Sequence, residues 1–144
     1  MSIRVSPVPS DSLDACLALR RAVFVDEQGV PEELEIDGWD PECLHVAARD
    51  ERGRVVGTAR LRAVGGKVAK AERVCVDHAW RSHGVGGALM EALENQAVSE
   101  GYEEILLAAQ ANVIPFYTRR GYAKEGDLFV EGGLDHMYMR KRLA

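Results

Sequence analysis

The feature that most constrains this fold is a strand, a glycine-rich loop, a helix and a second strand in direct succession. The pattern predicts a strand over residues 67–76, a helix over 84–100 and a second strand over 103–109. The helix has one apolar face and a glycine, Gly101, at its end. Because a helix crosses between the two strands, they are expected to run parallel. The sequence therefore predicts a central parallel β–α–β unit.

Antiparallel strands are predicted on both sides of this unit. They pair as two hairpins with glycine-containing turns, and a short N-terminal strand is expected to end at Pro7. These predicted strands are residues 3–5, 44–49, 54–63, 122–130 and 134–142. The sheet is therefore expected to be mixed and mostly antiparallel.

Three further helices are predicted. The first begins at Ser10 or Asp11, whose side chains can cap a helix, and a short second one follows Pro31. Another short helix is expected to be capped by Asn112, with Pro115 in its first turn, where a missing N–H does little harm. With 144 residues, the chain has the size of one α/β domain with about four helices.

Charge and cysteine content exclude several functions. The net charge of −5 argues against a basic nucleic-acid surface. No apolar run is long enough to cross a bilayer, and the N-terminus lacks the apolar stretch of a signal peptide. Cys16, Cys43 and Cys75 are odd in number and far apart, which argues against disulfides or a metal cluster. These observations predict a cytoplasmic protein without metal, nucleic-acid or membrane partners.

Acidic residues are concentrated in one segment. Residues 26–42 contain eight Asp or Glu and no Lys or Arg, so the rest of the chain carries a formal charge of +3. Such a run is often a solvated surface. It could instead be a wall that attracts a cationic small molecule. Composition leaves both interpretations open.

The glycine-rich loop at residues 81–88 is suited to bind phosphate. A helix that starts there presents free backbone N–H groups and a partial positive charge. The dinucleotide fingerprint would need a glycine at Leu89, and a nucleoside-triphosphate loop would need Gly-Lys-Ser/Thr. Both are absent, so two interpretations remain: a plain glycine turn, which is the default for such a loop, and a pyrophosphate held by a different kind of loop.

Two motifs in this order resemble the GNAT N-acetyltransferases. The first resembles the acyl-CoA pyrophosphate loop of that family, Arg81-x-x-Gly84-x-Gly86-Gly87-Ala88. The second resembles a later family hallmark, Asn112-x-x-x-Phe116-Tyr117-x-x-x-Gly121-Tyr122. Three other segments resemble the bacterial ElaA-like branch, namely Arg21-x-Val23-Phe24-Val25-Asp26-Glu27-Gln28, Ala109-Gln110-Ala111 and Glu131-x-Gly133-Leu134-Asp135-His136.

The resemblance implies a single GNAT-like α/β domain over residues 1–144 and an acetyl-CoA-dependent transfer to a primary amine by direct attack. The alternative is a catalytically silent acyl-CoA sensor. The acceptor is expected to be a small cationic amine, and a homodimer is possible. The residues implied in CoA binding are Val74, Cys75, Val76, Arg81, Ser82, His83, Gly84, Val85, Gly86, Gly87, Ala88, Asn112, Phe116, Tyr117 and Arg119.

Catalytic candidates follow from the chemistry of acetyl transfer. Family likeness points to Tyr117 as the acid that protonates the leaving sulfur, although a core tyrosine is the alternative. Glu72, expected on the same face of its strand as Val74, is either the base or part of an ion pair. Cys75 is expected to be an inert strand residue.

Candidates for the acceptor side are fewer. The resemblance places Glu27 and Gln28 near the acceptor, together with His136 from the closing hairpin, although a lone histidine in a terminal strand is more often structural than catalytic.

Overall fold

A seven-stranded sheet connects all the other elements of the chain. The structure is a computed structural model that describes residues 2–143. The strand order is β1-β2-β3-β4-β5-β7-β6. The strands are β1 (Arg4–Val8), β2 (Leu44–Arg49), β3 (Val55–Gly65), β4 (Val68–Val76), β5 (Glu104–Gln110), β6 (Ala123–Glu131) and β7 (Leu134–Arg142).

Within residues 2–143, four α-helices and four other helical turns accompany the sheet. The α-helices are α1 (Asp14–Arg20), α2 (Glu32–Glu35), α3 (Val85–Ser99) and α4 (Ile114–Arg119). A π-helical segment, Arg21–Glu27, continues α1 directly. The 3₁₀ turns are Asp40–Glu42, His78–Trp80 and Ala111–Val113. No helix among residues 2–143 is long and apolar enough to span a membrane.

The predicted parallel unit is confirmed. β4 and β5 are parallel and every other neighbouring pair is antiparallel. The parallel pairing runs from Val68 opposite Glu104 to Ala71 opposite Leu107, and it ends there. Beyond this point the two strands separate, so a cleft opens in the middle of the sheet.

The two faces of the sheet carry separate cores. On one face, Leu89, Met90 and Leu93 of α3 are fully buried in the larger apolar cluster. On the other face, Cys16 and Val23 belong to a smaller cluster beneath α1 and its continuation. The covering helices leave the cleft between β4 and β5 open.

A β-bulge in β4 changes the expected side-chain directions. Arg60 of β3 lies opposite Glu72 and Thr58 lies opposite Cys75, so two residues of β4 face one of β3. Arg73, inside the bulge, has a φ of +56°. An extra residue of this kind reverses the alternation of side chains along a strand.

The bulge separates Glu72 from Val74. Ala71 lies in the α3 cluster before the bulge, and Val74 and Val76 pack against the same cluster after it. Glu72 is therefore on the opposite face from Val74, and the prediction of a shared face was wrong.

Three predicted boundaries were also wrong. β1 continues through Pro7, which an edge strand tolerates because the missing N–H need not pair. Ser10 and Asp11 lie in a turn closed by the Ser12 N–H and the Pro9 carbonyl, and α1 starts only after Leu13.

The helix after β5 also starts later than predicted. Asn112 lies inside a 3₁₀ turn, and Val113 is the N-cap of α4. Pro115 does occupy the first turn, where its missing N–H is tolerated.

Candidate active site

A cavity of about 1020 Å³ occupies the cleft where β4 leaves β5. This is the upper end of the range for small-molecule sites. Most of the residues that the sequence singled out line it: Glu27, Gln28, Glu72, Val74, Cys75, Val76, Arg81, Ser82, Gly84, Val85, Gly86, Gly87, Asn112, Phe116, Tyr117, Arg119 and His136. The fold therefore brings the two motifs and the closing hairpin to one site.

The start of α3 presents unpaired donors to this cavity. Gly84 is the N-cap and has a φ of +79°, in the left-handed region that favours glycine. The first intrahelical bond runs from the Ala88 N–H to the Gly84 carbonyl, at 3.1 Å. The N–H groups of residues 85–87 precede that bond and are left without helical acceptors. The donor set therefore ends before Ala88, and the prediction that it extends to Ala88 was wrong.

His83 is directed away from the cavity. Its Nδ1 lies 2.8 Å from the Arg81 carbonyl, and its ring lies edge-on to Trp80 at 6.0 Å. The side chain is exposed and does not line the cavity. Its position therefore does not support the predicted contact with a cofactor.

Arg81 and Glu27 form an ion pair across one wall of the cavity. Two guanidinium nitrogens lie 2.6 and 2.8 Å from the Glu27 carboxylate oxygens, and Nε donates to the Val76 carbonyl at 3.2 Å. The hydrogen bonds from Arg81 hold the pKa of Glu27 below its usual range. Sequence analysis assigned Arg81 to cofactor binding and Glu27 to the acceptor side. In the structure the two residues form one ion pair.

Tyr117 is buried, yet its hydroxyl group remains open to the cavity. The residue is 7% exposed and its ring packs edge-on against Phe116 and Tyr122, at 4.9 and 5.7 Å. The hydroxyl group has no hydrogen-bond partner within residues 2–143 and is not sealed off from solvent. Burial raises the pKa of Tyr117 to about 12. The phenol therefore carries its proton at neutral pH, as a proton donor must.

Glu72 is held by three cations. Its carboxylate accepts hydrogen bonds from Arg60 at 2.9 Å and Arg62 at 3.0 Å, and Lys70 lies 3.4 Å away. Burial alone would raise the pKa of Glu72, but the Arg62 hydrogen bond and the neighbouring positive charges outweigh it and lower the pKa. A carboxylate stabilised in this way is a weak base. The geometry favours the ion-pair interpretation of Glu72.

Sequence analysis did not identify two buried arginines, Arg60, which binds Glu72, and Arg20. Arg60 is 0% exposed and Arg20 is 2% exposed. Arg60 binds Asp37 and Asp40, while Arg20 binds Asp40 and Glu35. Much of the acidic segment is therefore neutralised inside the protein. The only indication in the sequence was Arg60 within a valine-rich strand, and this pattern does not show which acidic residues the arginine pairs with.

On the opposite side of the cavity lie His136 and an amide pair. His136 is 8% exposed, its Nδ1 is 2.8 Å from the Leu134 carbonyl, and its ring stacks on Phe129 at 5.8 Å. Gln28 and Gln110 exchange hydrogen bonds of 2.9 and 3.3 Å. Gln110 also lies opposite His136 in the β5–β7 ladder. The sequence marked Gln110 only as part of a motif.

The residues present fit an acyl-CoA. The N–H groups at residues 85–87 suit a pyrophosphate. A Cβ added at Gly86 would lie 3.4 Å from the Phe116 ring. A side chain at this position would therefore narrow the space through which a pyrophosphate reaches the N–H groups of α3. The parted strands leave a channel from this loop to Tyr117. A mixed sheet that opens in this way at a helix N-terminus is the arrangement expected of a CoA-dependent acyltransferase.

Comparison with known proteins gives the family. Residues 11–143 match the family model described as an acetyltransferase (GNAT) domain. The chain belongs to the GNAT family of N-acetyltransferases, enzymes that use acetyl-CoA. The family, the enzyme class and the cofactor predicted from the sequence are thereby confirmed.

Individual relatives agree with this assignment. The Bacillus subtilis protein named uncharacterized N-acetyltransferase YjcF is 39% identical over 132 residues, which cover 91% of this chain and 93% of that protein. The crystal structure of Escherichia coli ElaA has a TM-score of 0.87 and 27% identity, with 97% and 99% of the two chains covered. An acyl-CoA N-acyltransferase from Pseudomonas aeruginosa has the same TM-score and coverage at 28% identity.

Proposed function

We propose that the protein transfers an acetyl group from acetyl-CoA to a primary amine by direct attack, with Tyr117 as the general acid. The observation that carries this proposal is that three features line one cavity. They are the free N–H groups at the start of α3, the edge of β4 that β5 leaves unpaired, and Tyr117, whose hydroxyl group has no partner within residues 2–143.

The protein's own groups divide the work. Residues 85–87 bind the pyrophosphate, and the exposed Arg119 on the same cavity adds positive charge. Main-chain groups of residues 74–76 bind the pantetheine arm and acyl group at the point where β5 no longer pairs with them. When bound, acetyl-CoA supplies an activated thioester. Tyr117 then donates its proton to the sulfur as the carbon–sulfur bond breaks.

The acceptor side favours an amine that carries positive charge. Four of the acids on the cavity wall are ion-paired, whereas Glu131 has no ion-pair partner within residues 2–143. Glu131 is exposed at the β6–β7 turn, in the same cavity as His136. Its free carboxylate would attract a cation weakly and in a salt-dependent manner. Cation recognition is therefore assigned to Glu131 rather than to the acidic segment as a whole.

Release of free thiol from acetyl-CoA, measured against a panel of amines, tests the proposed transfer. We expect release that depends on a primary amine and yields one acetylated amine per thiol. Binding of CoA without amine-dependent release would contradict the proposal and support the silent sensor instead.

A further inference from the structure

We infer that His136 is the general base that takes the proton from the attacking amine. This inference rests on the proposed amine acetylation and adds a residue role to it. Neither of the two carboxylates that sequence analysis considered for this side of the reaction is free, because Glu72 is bound by arginines and Glu27 by Arg81. His136 is a base on the same cavity whose reactive nitrogen is unengaged.

The tautomer of His136 is set by its backbone contact. A carbonyl oxygen can only accept a hydrogen bond, so Nδ1, 2.8 Å from the Leu134 carbonyl, carries the hydrogen. In the neutral ring, Nε2 then holds a lone pair. Nε2 has no hydrogen-bond partner within residues 2–143 and is not sealed off from solvent. It is therefore available to a molecule in the cavity.

The ring is also fixed in position. Phe129 stacks on one side of it, with an angle of 24° between the planes. Gln110, opposite His136 in the ladder, is itself held by its amide pair with Gln28. A base held on a strand by packing and hydrogen bonds needs little reorganisation before it reacts.

The surroundings of His136 contain both signs of charge. Phe129 and Gln110, its nearest cross-strand neighbours, are neutral. Titratable and charged groups that line the same cavity include Glu131 on β6, Lys70 on β4, Tyr117 and Arg119 on α4 and the Glu27–Arg81 pair, and Tyr138 of β7 stacks on Phe129.

The proton balance is complete with these two residues. The amine attacks in its neutral form, and His136 Nε2 takes the one proton that the amine nitrogen loses as the new bond to the carbonyl carbon forms. The electron pair of the carbon–sulfur bond leaves with the sulfur, which takes the Tyr117 proton. Water then removes the proton from His136 and returns one to Tyr117. The products are an amide and a free thiol.

The first test needs no substrate. In the protein without ligand, nitrogen NMR of the neutral imidazole, assigned by its loss in His136→Gln, should show a protonated Nδ1 and an unprotonated Nε2. The opposite tautomer would overturn the inference, whatever the activity of any variant.

The second test measures the pH dependence of kcat with an alkylamine. The pKa of such an amine is about 10, as for the lysine side chain. The wild-type rate should fall on the acid side, because a protonated imidazole cannot accept the proton of the amine. His136→Gln should lower kcat by about 10²–10⁴-fold and lose that acid limb, with CoA affinity retained. His78→Gln is the matched control, because His78 is exposed and outside the cavity and a glutamine can keep its 3.4 Å contact with Arg81; this variant should retain the acid limb.

The outcomes separate the inference from the proposed function. Equal rates and the same acid limb in wild type and His136→Gln would overturn the role of His136 alone. No amine-dependent release by the wild type would overturn the transfer itself.

Discussion

Tyr117 and Tyr122 are neighbouring tyrosines whose hydroxyl groups have different surroundings. Tyr122 donates a hydrogen bond to Glu94 at 2.8 Å and does not line the cavity. Tyr117 has no such partner within residues 2–143 and faces the cavity. Two rings of the same type and burial therefore provide a natural comparison between a hydroxyl group that supports the fold and one that is free to react.

Tyr117→Phe should lower kcat by about 10²–10⁴-fold, because only the proton donor for the leaving sulfur is removed. CoA affinity should stay nearly unchanged. Tyr122→Phe should leave kcat unchanged and lower the free energy of unfolding by about 1 kcal/mol, through loss of its hydrogen bond. Steady-state kinetics and calorimetric CoA titration distinguish the two. Wild-type turnover in Tyr117→Phe would make Tyr117 a packing residue.

The Glu72→Gln variant tests whether Glu72 acts as a base or only as a member of an ion pair. We expect the free energy of unfolding to fall by about 1.5–3 kcal/mol, because buried Arg60 loses a charged partner. The acid limb of the kcat profile should persist. Denaturant unfolding and pH-dependent kinetics measure both, with Glu91→Gln, on the exposed side of α3, as the control. Loss of the acid limb at unchanged stability would restore Glu72 as the base.

At the scale of elements, the bulge in β4 lets one strand serve two purposes. Before the bulge, β4 pairs with both β3 and β5. After the bulge, β4 still pairs with β3 but no longer pairs with β5. The reversed alternation directs Cys75 into the α1 cluster, where burial raises the pKa of its thiol to about 12. Such a thiol is an inert core group, in agreement with the expectation for Cys75.

Gly86→Val tests the start of α3 as the pyrophosphate site. A branched side chain on the second residue of the helix should block the approach of a phosphate and lower CoA affinity at least tenfold, or about 1.4 kcal/mol. Gly84 is unsuitable for this test, because any side chain there is strained at a φ of +79°.

Ala88→Val is the matched control for Gly86→Val, since Ala88 is in the same helix but not on the cavity wall. Its CoA affinity, measured by calorimetry, should equal that of the wild type. Unchanged affinity in a folded Gly86→Val protein, judged by circular dichroism, would rule out this site.

At the scale of the whole molecule, ion pairs link the acidic segment to the sheet. Hydrogen bonds from Arg60 and from the Trp39 N–H overcome the effect of burial and lower the pKa of Asp37 from 3.8 to about 2. The folded protein thus binds fewer protons here than the unfolded chain. This contribution to stability is complete above pH 3.8 and is lost as the pH falls toward 2.

Asp37→Asn should therefore flatten the loss of stability between these pH values. At neutral pH, we expect the variant to be less stable by about 1 kcal/mol, allowing for screening of a partly exposed carboxylate. Chemical denaturation across this pH range measures the slope. Glu33→Gln, which removes an exposed acid without an ion pair in residues 2–143, should retain the wild-type slope. An equal slope in both variants would contradict the role of Asp37.

Local signals explain what the sequence could predict. The helix at α3, the parallel β4–β5 unit and the glycine loop depend on periodicity and glycine placement within short segments, and they were predicted correctly. The bulge at Arg73 was not, because nothing near Arg73 signals a positive φ. The pairing of Arg60 with Asp37 joins residues far apart in the chain, and a single sequence does not show which charges meet.

The short seam between β4 and β5 has a mechanical consequence. Within residues 2–143, four residue pairs hold β1–β4 to β5–β7 along the sheet. Within the sheet, the two half-sheets are therefore joined along a short stretch of pairing, and a molecule bound in the cleft contacts both of them. Such a molecule would stiffen the whole domain, and its release would require the two half-sheets to move apart.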